Sequence, residues 1–176
     1  YMRTPGDIDI YLSGGRKKIL KYVDRVCPNQ VMRYHHVDFP VMKTAIEVHF
    51  TPSYMFYPIH NRRMQKWFEE VMGEQCNHRV SLPDGYGKIH VPKVSFNVIY
   101  ILSHLYRHIF TEGIGLRQLL DYYYVLISDD LLLIRDRVQK ELKHLGLWKF
   151  AQAVMFVMKE VFGLCLLYTS DAADER

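Results

Sequence analysis

The sequence predicts an α+β fold, in which a small mixed β-sheet is followed by a helical C-terminal subdomain. In roughly the first fifty residues, apolar and polar side chains alternate with a period of two, which is typical of strands. From Ser95 onward, apolar residues recur at helical spacing through four successive segments. Hydrophobic residues make up 49% of the 176 and charged residues 24%, the balance of an ordinary folded protein. We therefore expect a first domain over residues 1–94 and a helical one over residues 95–163.

Turn residues divide the first part into short elements. Residues 8–12 alternate as a strand that ends at a Ser-Gly-Gly turn, and residues 16–26 carry the apolar stripe of a helix. Residues 31–39 and 43–50 are rich in β-branched and aromatic side chains, and Pro40 separates them. An antiparallel hairpin is the simplest connection between these two strands.

A second helix and an irregular loop follow. Residues 61–72 are amphipathic, so we expect a helix with Asn61 as its N-cap and Gly73 as its end. Residues 81–93 are punctuated by proline and glycine, which indicates a crossing loop with a short strand at residues 88–91.

The last part predicts a bundle of four helices, over residues 95–111, 115–127, 131–145 and 147–162. Their apolar side chains lie on faces that can meet in a common core. The predicted core residues are Ile101, Leu105, Leu119, Leu120, Leu133, Val138, Leu142, Phe150, Val154 and Val157.

Composition excludes several classes of protein. The longest apolar run, residues 154–167, is broken by a Lys-Glu pair and is too short to cross a membrane. Cys27, Cys76 and Cys165 form neither a disulfide framework nor a CxxC metal knuckle, so we expect a reducing compartment, the cytoplasm. The net charge of +4 favours phosphate-bearing ligands. The sequence contains no block of five or six like charges, so a nucleic-acid partner is possible but not indicated.

The Gly6-Asp7-Ile8-Asp9 motif carries the clearest chemical signal. In a strand, Asp7 and Asp9 leave the same face, and Ile8 and Ile10 are expected to be buried on the other. Two carboxylates side by side repel each other, and Mg²⁺ commonly compensates such a pair beside a phosphate substrate. The alternative is an acidic pair on a solvated strand face.

Glu47 is a charge within an otherwise apolar strand at residues 45–49. Its apolar residues face one side, and Glu47 with His49 faces the other. If this strand lies beside the first one, Glu47 joins Asp7 and Asp9 in the carboxylate set of a two-metal phosphoryl- or nucleotidyl-transfer site. If it lies at an edge, Glu47 is simply in water. The residues alone leave both alternatives open.

Two adjacent histidines, His35 and His36, precede Asp38 in the other strand. Neighbouring residues of a strand point to opposite faces, so at most one of the histidines can face the site. The sequence assigns a role to neither.

Three segments together carry a family resemblance. They are RTPGDIDI at residues 3–10, IEVH at residues 46–49, and a helical region with YILSH at residues 100–104, His108 and GIGLRQLLD at residues 113–121. In order and separation these segments resemble the uncharacterised bacterial nucleotidyltransferase family within the DNA polymerase β-like superfamily. The resemblance extends over roughly residues 1–160.

The resemblance implies a nucleotidyltransferase core with a helical C-terminal part. It implies Mg²⁺ held by Asp7, Asp9 and Glu47, and transfer of a nucleoside monophosphate from an NTP, expected to be ATP, to an acceptor hydroxyl with release of pyrophosphate. The alternative function is a non-catalytic nucleotide-binding or partner-binding module that keeps the fold.

The resemblance also suggests which residues contact the nucleotide: Arg3, Gly6, His104, His108, Arg117 and Asp121. Other interpretations are open. His104 and His108 are four residues apart on one helix and could together hold Zn²⁺. Arg117 and Asp121 have the same spacing and could be a surface ion pair.

Both ends of the sequence are expected to be atypical. The chain opens with Tyr1 and reaches its charged motif within ten residues, so we expect upstream residues to be missing, including the Gly-Ser element that holds the triphosphate in this superfamily. Residues 165–176 resemble a translated sequencing adapter. Residues 164–176 are therefore expected to be a non-native tail and are excluded from fold reasoning.

Overall fold

A computed structural model describes residues 6–42 and 44–164 of the protein. These residues fall into two compact units, one ending at Tyr54 and the other beginning at Met55. Both helices and strands are present, as the predicted α+β class requires. The domain boundary predicted at residue 94 lies inside the second unit and stays a prediction. Of the predicted tail, residues 164–176, only Leu164 is described, and it is buried in the apolar core of the second unit.

The first unit contains β1 (Ile8–Tyr11), α1 (Arg16–Val26), β2 (His36–Asp38) and β3 (Ile46–His49). Its strands form a mixed sheet in the order β1-β3-β2, with β1 parallel to β3 and β2 antiparallel to β3. The predicted hairpin is thus confirmed, and the strand that carries Glu47 lies beside the first strand rather than in isolation.

Helix α1 covers the apolar face of this sheet. Ile19 and Val23 recur four residues apart on the helix and pack with Val37 of β2 and Val48 of β3. The chain turns from β1 into α1 through a glycine pair in which Gly15 has φ +81°, a conformation that other residues rarely adopt. The apolar alternation therefore decides which sheet face is buried and leaves the opposite face to polar side chains.

The predicted burial of Ile8 and Ile10 is wrong, because both are exposed. Strand β1 is the last strand on its side of the described sheet. The two buried side chains of α1 pack over the β3 and β2 side, so the apolar face of β1 is left largely uncovered by the described residues.

The second unit is mainly helical. A small antiparallel hairpin lies between its first two helices, and the helices pack around a common apolar core. Its elements are α2 (Pro58–Gln75), β4 (Arg79–Ser81), β5 (Lys88–His90), α3 (Val94–Ile109), α4 (Leu116–Leu126), α5 (Asp129–His144) and α6 (Trp148–Phe162). None of the described helices is long and apolar enough to cross a membrane.

Both predicted ends of α2 are wrong. The helix begins at Pro58, whose fixed φ suits a first helical position, and Asn61 lies inside the first turn. The side-chain oxygen of Asn61 accepts a hydrogen bond from the backbone N–H of Met55. The helix continues through Gly73 to Gln75, because burial of Met64, Trp67, Phe68 and Gln75 outweighs the about 1 kcal/mol that one helical glycine costs.

The predicted bundle core is partly wrong. Leu105, Leu119, Val138, Leu142 and Val154 are buried, and Ile101 and Phe150 pack partly buried against them. Leu120, Leu133 and Val157 are exposed, Leu133 at 87%. In α5 the buried residues are Leu131, Val138 and Leu142, and Leu133 lies about 200° around the helix from Leu131.

Candidate active site

The polar face of the three-stranded sheet presents two rows of side chains. Asp9 of β1 pairs with Glu47 of β3, which pairs in turn with Asp38 of β2. In the next row His49 of β3 pairs with His36 of β2. Since paired residues on neighbouring strands point to the same face, the register brings acids and histidines together.

His49 lies between two of the carboxylates. Its Nε2 atom is 3.1 Å from Oδ1 of Asp9 and 3.4 Å from Oε2 of Glu47. Only 3% of the His49 side chain is exposed, against 40% for Asp9 and 27% for Glu47. A buried imidazole thus holds two partly exposed carboxylates in place.

The electrostatics of the three residues are strongly coupled. Burial by itself would lower the pKa of His49, but hydrogen bonds to Asp9 and Glu47, together with their charges, raise it to about 9. The hydrogen bond from His49 lowers the pKa of Glu47, against the opposing effect of burial. In the protein without bound ligands, a protonated His49 therefore neutralises part of the charge of two ionised carboxylates.

Two more histidines adjoin this group. Nδ1 of His36 is 3.1 Å from Oε2 of Glu47, and the ring of His35 lies 4.5 Å from that of His36 and 5.0 Å from that of His49. All three histidines are buried. Their roles were not predicted from the sequence. The segments His36-Val37-Asp38 and Glu47-Val48-His49 nevertheless repeat one polar–apolar–polar pattern in reverse order, a signal that could have identified them.

The donor set fits a divalent cation. Asp9, Glu47 and His49 can each offer one ligand atom, and these atoms lie within 4.8 Å of one another. Carboxylate oxygens suit Mg²⁺, Ca²⁺ and Mn²⁺, whereas imidazole suits the transition metals. Two of the three predicted carboxylates, Asp9 and Glu47, are therefore brought together as expected.

Asp7 is not among them. It lies one residue before β1 begins, is exposed, and belongs to none of the potential metal-ligand groups found in the described parts of the chain. Gly6 precedes it and is exposed as well. The predicted metal role of Asp7 and the nucleotide role of Gly6 stay predictions.

The other predicted nucleotide contacts belong to the second unit, apart from Arg3, which lies outside the described residues. On α3 the rings of His104 and His108 are 4.3 Å apart. The buried Arg107 has Nη2 3.2 Å from Nδ1 of His104. None of the potential metal-ligand groups in the described residues includes either histidine, so the zinc alternative gains no support.

Arg117 and Asp121 lie one turn apart on α4, with Arg117 exposed and Asp121 partly buried. Their predicted contact with a nucleotide stays a prediction, as does that of the two histidines on α3.

Comparison with known proteins adds one match. No curated protein and no solved structure matches the chain. A family model described as uncharacterised nucleotidyltransferase matches residues 1–163, which is nearly the whole sequence and includes the Asp9, Glu47 and His49 site. The chain therefore belongs to this family of uncharacterised nucleotidyltransferases.

Proposed function

We propose that the protein is a Mg²⁺-dependent nucleotidyltransferase. It transfers a nucleoside monophosphate from an NTP, ATP in the first instance, to an acceptor hydroxyl, and it releases pyrophosphate. Family membership supports nucleotidyl transfer in general. The observation that carries the proposal is the parallel register of β1 and β3, which sets Asp9 opposite Glu47 on the polar face of the sheet.

Asp9 and Glu47 would hold the metal ion, with Asp7 contributing from the position just before β1. A bound Mg²⁺ supplies positive charge that orients the triphosphate and offsets the charge developing during transfer. The lowered pKa of Glu47 keeps this carboxylate ionised at neutral pH, the form that binds a cation.

His49 acts through the carboxylates and is a positioning residue. Because its buried ring lies within hydrogen-bonding distance of Asp9 and Glu47, it fixes the two side chains before any ligand arrives. Preorganised charge of this kind lowers the cost of reaching the transition state. Glu47 would also help to activate the acceptor hydroxyl, whose proton passes to solvent as its oxygen bonds to the α-phosphorus. The bond from that phosphorus to the oxygen it shares with the β-phosphate breaks, and pyrophosphate leaves with that oxygen and the bonding electron pair.

Nucleotide contacts are proposed for Arg3, Gly6, His104, His108, Arg117 and Asp121. The chemistry of Arg3, Arg117 and the two histidines supports this role, since guanidinium and imidazole N–H groups pair with phosphate oxygens. Asp121 is an anion and would act beside Arg117, one turn away on α4, rather than on phosphate. At Gly6 an added Cβ would meet nothing within 4 Å, so the backbone there is open to a ligand. We place the reaction in the cytoplasm, in keeping with the free thiols of Cys27 and Cys76.

The test compares Asp9→Asn and Glu47→Gln with Asp24→Asn in the full chain. Each substitution removes one charge with little change in volume, and the control removes an exposed carboxylate on α1. The measurement is pyrophosphate release from each NTP with Mg²⁺, together with transfer of α-phosphate label into a metabolite extract. We expect at least a hundredfold loss for Asp9→Asn and Glu47→Gln, and wild-type rates for Asp24→Asn.

Retained activity in Asp9→Asn or Glu47→Gln would refute the proposed site. Metal-dependent NTP binding by the wild type without any pyrophosphate release would instead support the alternative, a nucleotide-binding module that has kept the fold.

A further inference from the structure

The polar sheet face carries a second group of potential ligands on the side away from Asp9. His36, Asp38 and Glu47 can each offer one ligand atom, and these atoms lie within 4.8 Å of one another. Two of the three come from β2, a strand that contributes nothing to the carboxylate set predicted from the sequence. Glu47 belongs to both groups.

One pair of atoms in this group is already as close together as two ligands of one ion. Nδ1 of His36 is 3.1 Å from Oε2 of Glu47, and Nε2 of the same ring is 3.8 Å from Oδ1 of Asp38. Two ligand atoms of one tetrahedral zinc-type ion, each about 2.0–2.1 Å from it, lie about 3.3 Å apart. An imidazole gives an ion only one of its two nitrogens, so the ring of His36 or the side chain of Asp38 has to rotate before all three residues share an ion. The three ligand atoms lie within 4.8 Å of one another, which a rotation of this kind can close.

The register of the strands explains why the two groups share a residue. Asp9, Glu47 and Asp38 occupy one row across the sheet, with Glu47 in the middle, and His49 and His36 occupy the next row. Oε2 of Glu47 is therefore approached by His49 from one side, at 3.4 Å, and by His36 from the other, at 3.1 Å. A carboxylate in such a position can bind two cations at once.

Burial and donor type indicate the class of ion. His36 is 7% exposed at its side chain, whereas Asp38 and Glu47 remain partly open to solvent, so an ion has a route of entry on the carboxylate side. One imidazole nitrogen with two carboxylate oxygens favours a transition metal over Mg²⁺, which prefers an all-oxygen shell.

We propose that His36, Asp38 and Glu47 bind a divalent transition-metal ion, which makes Glu47 a carboxylate shared between two cation sites. This second site adds to the proposed function. It rests on that proposal only in taking Asp9 and Glu47 as the first cation site. It adds a nitrogen-ligated ion on the β2 side of the carboxylate that also faces the transfer reaction. Asp38 and His36 thereby become metal ligands, a role that the sequence pattern assigned to neither.

The experiment counts bound Co²⁺ in the full chain without nucleotide, by equilibrium dialysis with metal analysis, and records the visible spectrum of the bound ion. His36→Gln and Asp38→Asn each remove one proposed ligand, and circular dichroism without metal checks that each variant folds. Asp38 is partly exposed, so Asp38→Asn tests the site even if His36→Gln does not fold. Asp24→Asn on α1 is the matched control.

We expect both variants to bind one equivalent of Co²⁺ fewer than the wild type and Asp24→Asn to bind as many. Asp9→Asn should lose a different equivalent and keep the spectrum of the ion bound at His36. Equal Co²⁺ counts in wild type, His36→Gln and Asp38→Asn would overturn the second site, and so would a wild type that binds no Co²⁺.

The outcomes for the two proposals are separable. If Asp9→Asn abolishes pyrophosphate release while His36→Gln and Asp38→Asn leave the Co²⁺ count unchanged, only the second site fails. If those two variants each lose an equivalent of Co²⁺ while the wild type releases no pyrophosphate from any NTP, the second metal site stands and the proposed function fails.

Discussion

At the scale of single residues, His49 decides the character of the site. A pair of carboxylates on adjacent strands would normally repel each other, and His49 supplies the compensating proton from a buried position. Its other ring nitrogen, Nδ1, is buried and makes no hydrogen bond in the described structure. Burying a polar nitrogen without a hydrogen bond costs free energy, because the atom loses its contact with water. This cost is expected of a histidine that has a functional role rather than one that only fills the core.

We predict that His49→Leu lowers the free energy of unfolding by about 1–3 kcal/mol, because two carboxylates lose a hydrogen-bonded charged partner. Urea denaturation of wild type and variant without metal would measure the difference. His144→Gln, which changes an exposed histidine at the end of α5, is the control and should change stability by less than about 0.5 kcal/mol. A His49→Leu variant as stable as the control would show that His49 does not hold the acids together.

The side-chain directions of His35 and His36 could not be predicted reliably from the sequence alone. The rule that neighbouring residues face opposite sides holds within a strand, and β2 begins only at His36. His35 lies just before the strand, so its ring can contact that of His36 although the two are adjacent. Alternation alone therefore underestimated how many imidazoles meet at this face.

At the scale of elements, two glycines have opposite roles that the sequence could not separate. Gly73 lies within α2 in ordinary helical conformation, with open space where a Cβ would be. Gly163 ends α6 with φ +65°, and the N–H of Leu164 after it donates to the carbonyl of Met158. Only the second is a helix stop that needs glycine.

We predict that Gly73→Ala raises the stability of the protein by about 0.5–1 kcal/mol, because alanine loses less conformational freedom in a helix. Gly163→Ala should lower stability by about 1 kcal/mol, because a left-handed conformation strains any residue with a Cβ. Thermal melting of the two variants beside wild type tests both. Shifts of the same sign would contradict the assignment of helix ends.

The elements that the sequence predicted best are those with short, unambiguous boundaries. Helix α1 occupies the predicted residues because a glycine turn precedes it and Pro28 follows it closely. Helix α2 was misjudged at both ends, because its limits depend on burial against the rest of the second unit rather than on local caps. In the bundle, Leu133 was wrongly predicted to be buried. Helix α5 carries more apolar side chains than the neighbouring helices can cover, so some of them, Leu133 included, stay exposed.

At the scale of the whole molecule, the candidate site depends on a contact between strands that are distant in sequence. Strands β1 and β3 are separated by α1 and β2, yet they pair in parallel with Asp9 opposite Glu47. Period-two alternation predicted which face each acid would occupy, but it left open whether the strands are neighbours. The register is known only from the folded sheet. It also places His36 and Asp38 of β2 beside Glu47, and these two potential ligands were not predicted from the sequence.

The matched family range contains all the residues of the candidate site. The family match spans residues 1–163 and so includes both structural units, while the ligand groups described above all lie in the first unit.

Whether Asp9 and Glu47 bind the metal ion of a nucleotidyltransferase is tested most directly by a crystal structure of the full chain. The crystal contains Mn²⁺ and a non-hydrolysable ATP analogue, and anomalous scattering locates the metal. We predict an anomalous peak within bonding distance of one carboxylate oxygen of Asp9 and one of Glu47, with the triphosphate on the same side of the sheet. A peak that contacts neither carboxylate, or a triphosphate bound on the face covered by α1, would contradict this prediction.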